Sequence, residues 1–331
     1  MPIIFLLTCY QHKLRQTEIA YIISVFFLFA ITSLLSKTYP YFISQYNLIY
    51  AAVALGTAFA LYKIKDIKNL TKSLFFLYSM FLMFVFWDLG IAADEAYNEV
   101  FYQSSRNYLS GIIIFLSIGV GVAYIKNNDE QPILIYAISF LFCVLLYGRT
   151  GILLSFTLLA FSIFQKNKFA SVFLMLVGLV VFFVADGWSY LVEVFTTKTN
   201  FSRGFESTRT VMLDEYMTSM NSLENILWGS NFNECCKTIV NFDMNPHNSF
   251  IMGHTRYGLL HTIMSLGILL YIFSTKRLEY IVLSSVIYAR YALDIMGLFT
   301  FYDIYIFLMV FLAYKYKKSL KCSYPKERQY I

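Results

Sequence analysis

A few side chains in this sequence stand where chemistry could be done. His247 follows Pro246 in Pro246-His247-Asn248-Ser249-Phe250, where a polar segment gives way to apolar chain. A neutral imidazole there, at the positive end of a helix, can act as a general base; Asn248 stands beside it. Arg149 lies in Tyr147-Gly148-Arg149-Thr150-Gly151, with glycines on both sides; Arg209, Arg256 and Arg290 follow further along the chain. A guanidinium is a planar fork that grips phosphate or carboxylate bidentately. The glycines around Arg149 are expected to let the backbone bend and a bulky anion approach. The chemistry these residues suit is proton removal by a base together with the binding of an anion such as a diphosphate at a membrane surface.

Plainer roles stand beside these. Asp294 lies four residues beyond Arg290, on the same helical face, so the two can form a structural salt bridge. Arg106 and Arg203 can pair with acidic neighbours. His247, His254 and His261 fall at intervals of seven and would share one face of a single helix beginning by Asn245. Such a stripe makes a poor metal site, because seven residues at about 1.5 Å each separate successive rings by roughly 10 Å. A core or hydrogen-bonding role is enough for His254 and His261. No Asp-x-Asp occurs in the chain, nor a Cys/His cluster at metal spacing, so no metal and no other cofactor is expected.

The elements that must position these residues are membrane helices. The 331 residues are 58% hydrophobic, 19% aromatic and only 14% charged, with a mean hydropathy of +0.60. A soluble globular chain of this length does not carry such a composition. Apolar runs suited to a core about 30 Å thick recur near residues 17–36, 41–62, 72–90, 108–125, 132–147, 150–165, 169–185, 255–274, 279–298 and 301–316. The expected fold is therefore an all-α integral membrane bundle of about ten transmembrane helices, a single polytopic domain over residues 1–331. The short runs between 132 and 165 could be tilted or broken around Gly148. Met1 to Tyr10 is apolar but too short to span, and it lacks the basic start and small-residue cleavage site of a removable signal peptide.

Lysine and arginine set the sidedness. With both termini cytoplasmic, the inner segments hold Lys13, Arg15, Lys63, Lys65, Lys68, Lys72, Lys126, Lys166, Lys168, Lys276, Arg277 and a basic tail over 315–331. Attraction to anionic inner-leaflet lipids explains this tail, and the net charge of +6 does not imply a nucleic-acid partner. Arginine is biased the other way, with three inside against six outside or within the membrane. Arg106, Arg149, Arg203, Arg209, Arg256 and Arg290 lie outside or within the membrane, a bias that topology alone does not require. The external loop over 186–247 is net acidic, and long loops in compact chains are usually functional. Within it, Ser207 to Leu223 reads as a surface helix capped by Ser207, with Val211, Leu213, Tyr216, Met217 and Met220 at roughly helical spacing. Arg209 would then sit at headgroup level. Cys235 and Cys236 face the oxidising side and are read as free, since adjacent cysteines bridge only with strain.

These residues, in this order and topology, resemble the O-antigen polymerase and O-antigen ligase superfamily. The resemblance rests on Tyr147-Gly148-Arg149-Thr150-Gly151 at the start of a span, Ser207-Thr208-Arg209, Asn225-Ile226-Leu227-Trp228-Gly229-Ser230-Asn231, and His247-Asn248-Ser249-Phe250 followed by Gly258. It covers roughly residues 130–275. Gly148 stands where a Ser is common in that superfamily, the loop is modest and about ten spans is few.

The resemblance implies a GT-C-like inner-membrane glycosyltransferase acting on undecaprenyl-diphosphate-linked oligosaccharide at the periplasmic face. A polymerase moves the growing glycan from its lipid diphosphate to an incoming lipid-linked repeat, alongside a flippase and a chain-length regulator; a ligase uses the lipid A core as acceptor. His247 would take the acceptor proton and Asn248 would orient the acceptor or a sugar. Arg149 and Arg209 would hold the diphosphate, with Arg256 and Arg290 as weaker candidates. An alternative base is a carboxylate near Asp88, Asp94 or Glu95. A flippase would also use arginine and aromatic residues around a cavity, but such carriers usually show two related halves and short loops, which this chain lacks. A non-catalytic assembly partner would not need a helix-start His and a turn Arg together.

Overall fold

The computed structural model describes residues 16–37, 42–91, 96–101, 105–169 and 208–323. The apolar start, the expected span at 169–185, Asp94, Glu95, Arg203, Ser207 and the end of the tail lie outside them. Among the described residues the structure is helical, without a strand. The helices are α1 Gln16–Leu35, α2 Phe42–Lys63, α3 Ile67–Leu89, α4 Arg106–Asn127, α5 Ile133–Leu145, α6 Arg149–Lys166, α7 Thr208–Thr218, α8 Leu223–Trp228, α9 Phe232–Cys235, α10 Lys237–Asn241, α11 Ser249–Tyr257, α12 Leu259–Phe273, α13 Leu278–Leu293 and α14 Ile304–Ser323.

Three of these, α2, α3 and α4, are long and apolar enough to cross a membrane, and shorter apolar helices cover 22–35, 133–145, 150–166 and 259–273. Large apolar side chains lie bare on their surfaces. On α3, Leu77, Met80, Met83 and Phe84 are exposed, and on α1, Phe27, Ile31 and Leu34. Contiguous apolar surface of this kind suits lipid and not water. These features mark a membrane protein.

The chain forms two compact units, Met1–Lys65 with Glu215–Ile331, and Asp66–Asp214. In the second, α4 is the central helix, buried over most of its length from Leu109 to Ile125. A helix that is apolar all round belongs inside a bundle. Helix α3 runs antiparallel to it: Tyr78 donates to the Leu109 carbonyl at 3.2 Å, and Lys68 reaches Asp129 beyond the far end of α4 at 2.6 Å. Lys68 and Lys72 also cover the Tyr124 ring.

In the first unit, α2 lays a stripe of small buried residues, Ala51, Ala54 and Ala58, along one face. Small residues let helix backbones approach closely where no hydrophobic effect drives them together. Tyr50 meets Phe301, while Phe59 and Tyr62 meet Phe311, so α2 and α14 run parallel. Phe29, Leu48, Ala51, Tyr257 and Phe299 form the core beneath the re-entry of the loop. Lys317 touches Ser274 at the opposite end of this unit, and Arg277 lies over the adjoining rings of Tyr280 and Tyr316.

Three expectations are corrected. The run 255–274 is not one helix, because Gly258 ends α11 with φ +68 and α12 starts afresh. The run 301–316 opens with a 3-10 turn, Phe301–Asp303, before α14 proper. The loop helix ends at Thr218, short of Leu223, because Ser222 accepts from the Asn225 amide and caps a new helix, α8.

Candidate functional site

His247 lies just ahead of α11, one residue before its cap. Asn248 is the N-cap, its Oδ1 accepting from the amides of Phe250 at 2.9 Å and Ile251 at 3.1 Å. The His247 backbone has φ 47, and its amide donates to Asn245 Oδ1 at 2.8 Å. Asp243 and Met244 have positive φ too. Left-handed conformations at non-glycine residues cost about 1 kcal/mol or more each and gather where a site needs a particular geometry. The heptad reading fails here: His247 is not helical, and Gly258 separates the other two histidines onto α11 and α12.

The His247 ring packs edge-on to Phe242 and presents Nδ1 to Asp294 Oδ1 at 3.9 Å, with 30% of its side chain still exposed. That separation is an ion-pair distance and too long for a formed hydrogen bond. Asp294 Oδ1 also accepts from the Ile295 amide at 2.9 Å. Its Oδ2 takes a hydrogen bond from Arg290 Nη2 at 3.2 Å, the salt bridge anticipated from the i,i+4 spacing. Arg290 is buried, with Nε on Met296 Sδ at 3.1 Å. Asp294 thus joins two residues that the sequence singled out separately, His247 and Arg290.

Ser249 fixes the distance between the two elements. Its hydroxyl donates to the Asp294 carbonyl at 2.7 Å and accepts from the amides of Met296 and Gly297 at 3.1 Å each. The following turn is organised by the buried Asp303 carboxylate, which accepts from the Leu298, Phe299 and Thr300 amides and from the Tyr291 hydroxyl. Leu298 and Phe299 take positive φ there. A carboxylate inside an apolar run is the sequence signal that could have found Asp303. Nothing local could have tied Asp294 to His247.

The segment 225–230 is strapped over α11. Lys37 holds Asn225 Oδ1 at 2.9 Å and Glu224 at 3.2 Å. Gly229, φ +84, leaves no room for a side chain, since a Cβ there would lie 2.7 Å from the His254 carbonyl; at Gly258 a Cβ would strike the Leu227 carbonyl. His254 completes the strap: Nε2 donates to the Ile226 carbonyl at 2.9 Å, so Nδ1 is the acceptor for the Tyr216 hydroxyl at 2.7 Å. Thr255 donates to the same Tyr216 oxygen. Burial pushes His254 below the ordinary histidine value and Tyr216 up to about 12.

Arg149 begins α6 and Arg209 lies in the first turn of α7, both in the second unit. The glycines beside Arg149 serve packing. A Cβ on Gly151 would come within 2.8 Å of Ser110 Cβ, and one on Gly148 within 3.0 Å of Ser110 Oγ, so α6 presses directly on α4. The bend itself falls on Tyr147, with φ 52. Arg209 is half-buried. Arg256, near the end of α11, has an Nε sealed from solvent and without a partner among the described residues. Asp88 is exposed at the end of α3. Cys235 and Cys236 are joined in a disulfide between α9 and α10, which corrects the reading of both as free. Among the described residues no group of three His, Cys, Asp or Glu could hold a metal ion.

In comparisons with protein-family models, curated proteins and solved structures, nothing matches the chain.

Proposed function

We propose that the chain is an inner-membrane glycosyltransferase of the O-antigen polymerase type, a bundle of about ten helices with both termini cytoplasmic and the loop 186–247 in the periplasm. Its donor is an undecaprenyl-diphosphate-linked glycan, and its acceptor is the non-reducing end of an incoming lipid-linked repeat. The observation that carries the reading is the half-exposed His247 with Asp294 behind it and Arg290 behind Asp294.

In the reaction the acceptor hydroxyl oxygen bonds to the anomeric carbon as the bond from that carbon to the diphosphate oxygen breaks. His247 takes the hydroxyl proton through Nε2, since Nδ1 faces the carboxylate, and the bond's electron pair leaves with the lipid diphosphate. Asp294 orients the ring and offsets the positive charge it acquires, the arrangement by which a carboxylate supports a catalytic histidine elsewhere. Arg290 is already engaged by Asp294, so its part is to hold that carboxylate. Arg256, in the same unit as His247, is left to meet the diphosphate, whose charge must be stabilised as the bond breaks; the resemblance assigns the same task to Arg149 and Arg209. Asn248 has committed its Oδ1 to the helix cap, which leaves its amide nitrogen for the acceptor.

Deletion of the gene followed by electrophoresis of the lipopolysaccharide tests this reading. A polymerase leaves a single repeat capped on the core. Complete loss of O-antigen with accumulation of carrier-linked polymer indicates a ligase, and an unchanged ladder overturns both. Arg149→Lys at matched expression asks whether charge alone suffices; full polymer from it removes the bidentate role.

A further inference from the structure

The apolar positions between Phe232 and Asn241 ask for one helix. Phe232, Cys236 and Ile239 fall at helical spacing, and all three are buried. The chain forms two short helices instead, α9 and α10, and the break falls on Cys236, which ends the first and begins the second with φ −132 and ψ 73. The Cys235–Cys236 disulfide is the reason. Neighbouring side chains on a helix do not face each other, so a bridge between them and an unbroken helix exclude one another. Nor is this bridge an ordinary staple: between adjacent residues it closes almost no loop and hardly restricts the unfolded chain.

What the break provides is a pair of contacts to α7. It leaves the Thr238 amide, in the first turn of α10, without a helical acceptor, and the Glu215 carboxylate takes it at 3.0 Å together with the Thr238 hydroxyl at 2.7 Å. On the next residue of α7, the Tyr216 ring meets Phe232 of α9 edge-on at 5.8 Å. The two short helices thus grip adjacent residues. Tyr216 in turn holds His254, which clips the 225–230 strap to α11, the helix that begins just after the His247-Asn248 pair. An unbroken helix could not keep both grips. The Thr238 amide would be spent on the Glu234 carbonyl, and the side chains of Phe232 and Thr238 would point about 120° apart.

We propose that Cys235–Cys236 is a reversible redox site that takes a dithiol reductant and sets the grip of the loop on α11. Cys236 is 1% exposed and Cys235 is half-buried, so Cys235 Sγ is the sulfur that an incoming thiolate reaches. Attack forms a mixed disulfide at Cys235 while the bond between the two cysteines breaks, and Cys236 leaves as a thiolate that takes up a proton. The second thiol of the reductant then displaces Cys235, which leaves the protein with two thiols and the reductant as a disulfide. Released from the bridge, Phe232 to Asn241 join as one helix, Glu215 loses Thr238, and the strap loosens. None of these contacts depends on the glycosyltransferase reading above.

The test uses the purified full-length protein in lipid nanodiscs, equilibrated with dithiothreitol in rising proportion to its oxidised form. Alkylation followed by mass spectrometry reads the state of Cys235 and Cys236, and amide hydrogen exchange reads the strap. Reduction should be reversible and should raise exchange over residues 225–230 roughly tenfold, the worth of one hydrogen bond to a charged group. Glu215→Ala should raise it to the same extent in the oxidised protein, with no further rise on reduction. The double variant Cys235→Ser with Cys236→Ser should exchange at the reduced rate at every dithiothreitol level, which excludes the remaining cysteines as the source. A bridge that excess dithiothreitol leaves intact, a reduction that leaves strap exchange unchanged, a further rise on reducing Glu215→Ala, or a response that persists in the double variant overturns the proposal. An unchanged lipopolysaccharide ladder on gene deletion would remove the polymerase reading while leaving this redox result standing.

Discussion

His247 and His254 stand seven residues apart, and in the sequence only the proline before His247 sets them apart. The structure gives them opposite circumstances. His254 has both ring nitrogens occupied, one by the Ile226 carbonyl and one by the Tyr216 hydroxyl, and it clips the 225–230 strap to α11. His247 sits ahead of the helix in a strained left-handed backbone, with a carboxylate at 3.9 Å on one side and solvent access on the other. A fully satisfied imidazole is a fastener. One that is oriented yet still accessible is equipped to exchange a proton, and the contrast lies in partners and not in residue type.

The sharpest break of this comparison is to remove each ring in turn. His247→Ala should lower glycosyl transfer by about 10²- to 10⁴-fold, the range for loss of a general base, while the unfolding temperature stays close to wild type. His254→Ala should do the reverse: it leaves the Tyr216 hydroxyl and the Ile226 carbonyl unsatisfied, costing about 1–3 kcal/mol, with activity following the folded fraction. Polymer formation in a complementation assay and unfolding in detergent read the two effects. Full polymer from His247→Ala, or an activity loss in His254→Ala at full stability, erases the distinction.

Asp294 extends the contrast, because it serves stability and chemistry at once. Asp294→Ala strands the buried Arg290 guanidinium and should cost about 3 kcal/mol, the lower end for breaking a buried pair, since Asp294 keeps some solvent contact. Replacing both members, Arg290→Met with Asp294→Leu, should restore much of the stability but not the activity, since His247 still lacks its carboxylate. Recovery of both would mean that Asp294 serves Arg290 alone. A smaller loss is expected at the strap. Gly258→Ala meets the Leu227 carbonyl and an unfavourable φ, so it should destabilise by about 1–3 kcal/mol, whereas Ala at Gly267, with nothing near its Cβ position, should be tolerated.

The helices were legible because their cause is local. Apolar length and turn residues fix most of them, and nine of the ten apolar runs fall on helix among the described residues. What escaped was decided by distant neighbours. Seven-residue spacing placed three histidines on one face only by assuming an unbroken helix, but the helix breaks at Gly258, whose φ of +68 and the Leu227 carbonyl beside it leave no place for a side chain. Gly148 and Gly151 read as room for an anion, yet their emptiness is filled by Ser110 from α4. Asp294 was visible as the partner of Arg290, four residues away, and invisible as the partner of His247, because a pairing between separate elements leaves no periodic trace. Strain argues against a bridge between adjacent cysteines, and neither spacing nor composition signals the one that Cys235 and Cys236 form.

Acid offers the mildest probe of the same contrast. His254 must be neutral to work as a fastener, since its Nδ1 accepts from Tyr216 while Nε2 donates to Ile226. Burial holds its folded-state value below the 6.5 of an unperturbed histidine. Between those two values the unfolded chain binds the extra proton and the folded chain does not, so stability rises with pH across the window. The contribution is complete above about pH 6.5 and is lost as the pH falls toward the depressed folded-state value. Tyr216, pushed up to about 12, keeps its proton throughout, and its oxygen already accepts from Thr255 and from the Ser230 backbone, so it cannot accept from a protonated ring as well without giving one of them up. The unfolding temperature should therefore decline on acidification below pH 6.5, and His254→Gln should flatten that decline while lowering the neutral-pH value. An acid limb of equal slope in the variant would show that the strap is fastened by something other than a neutral His254.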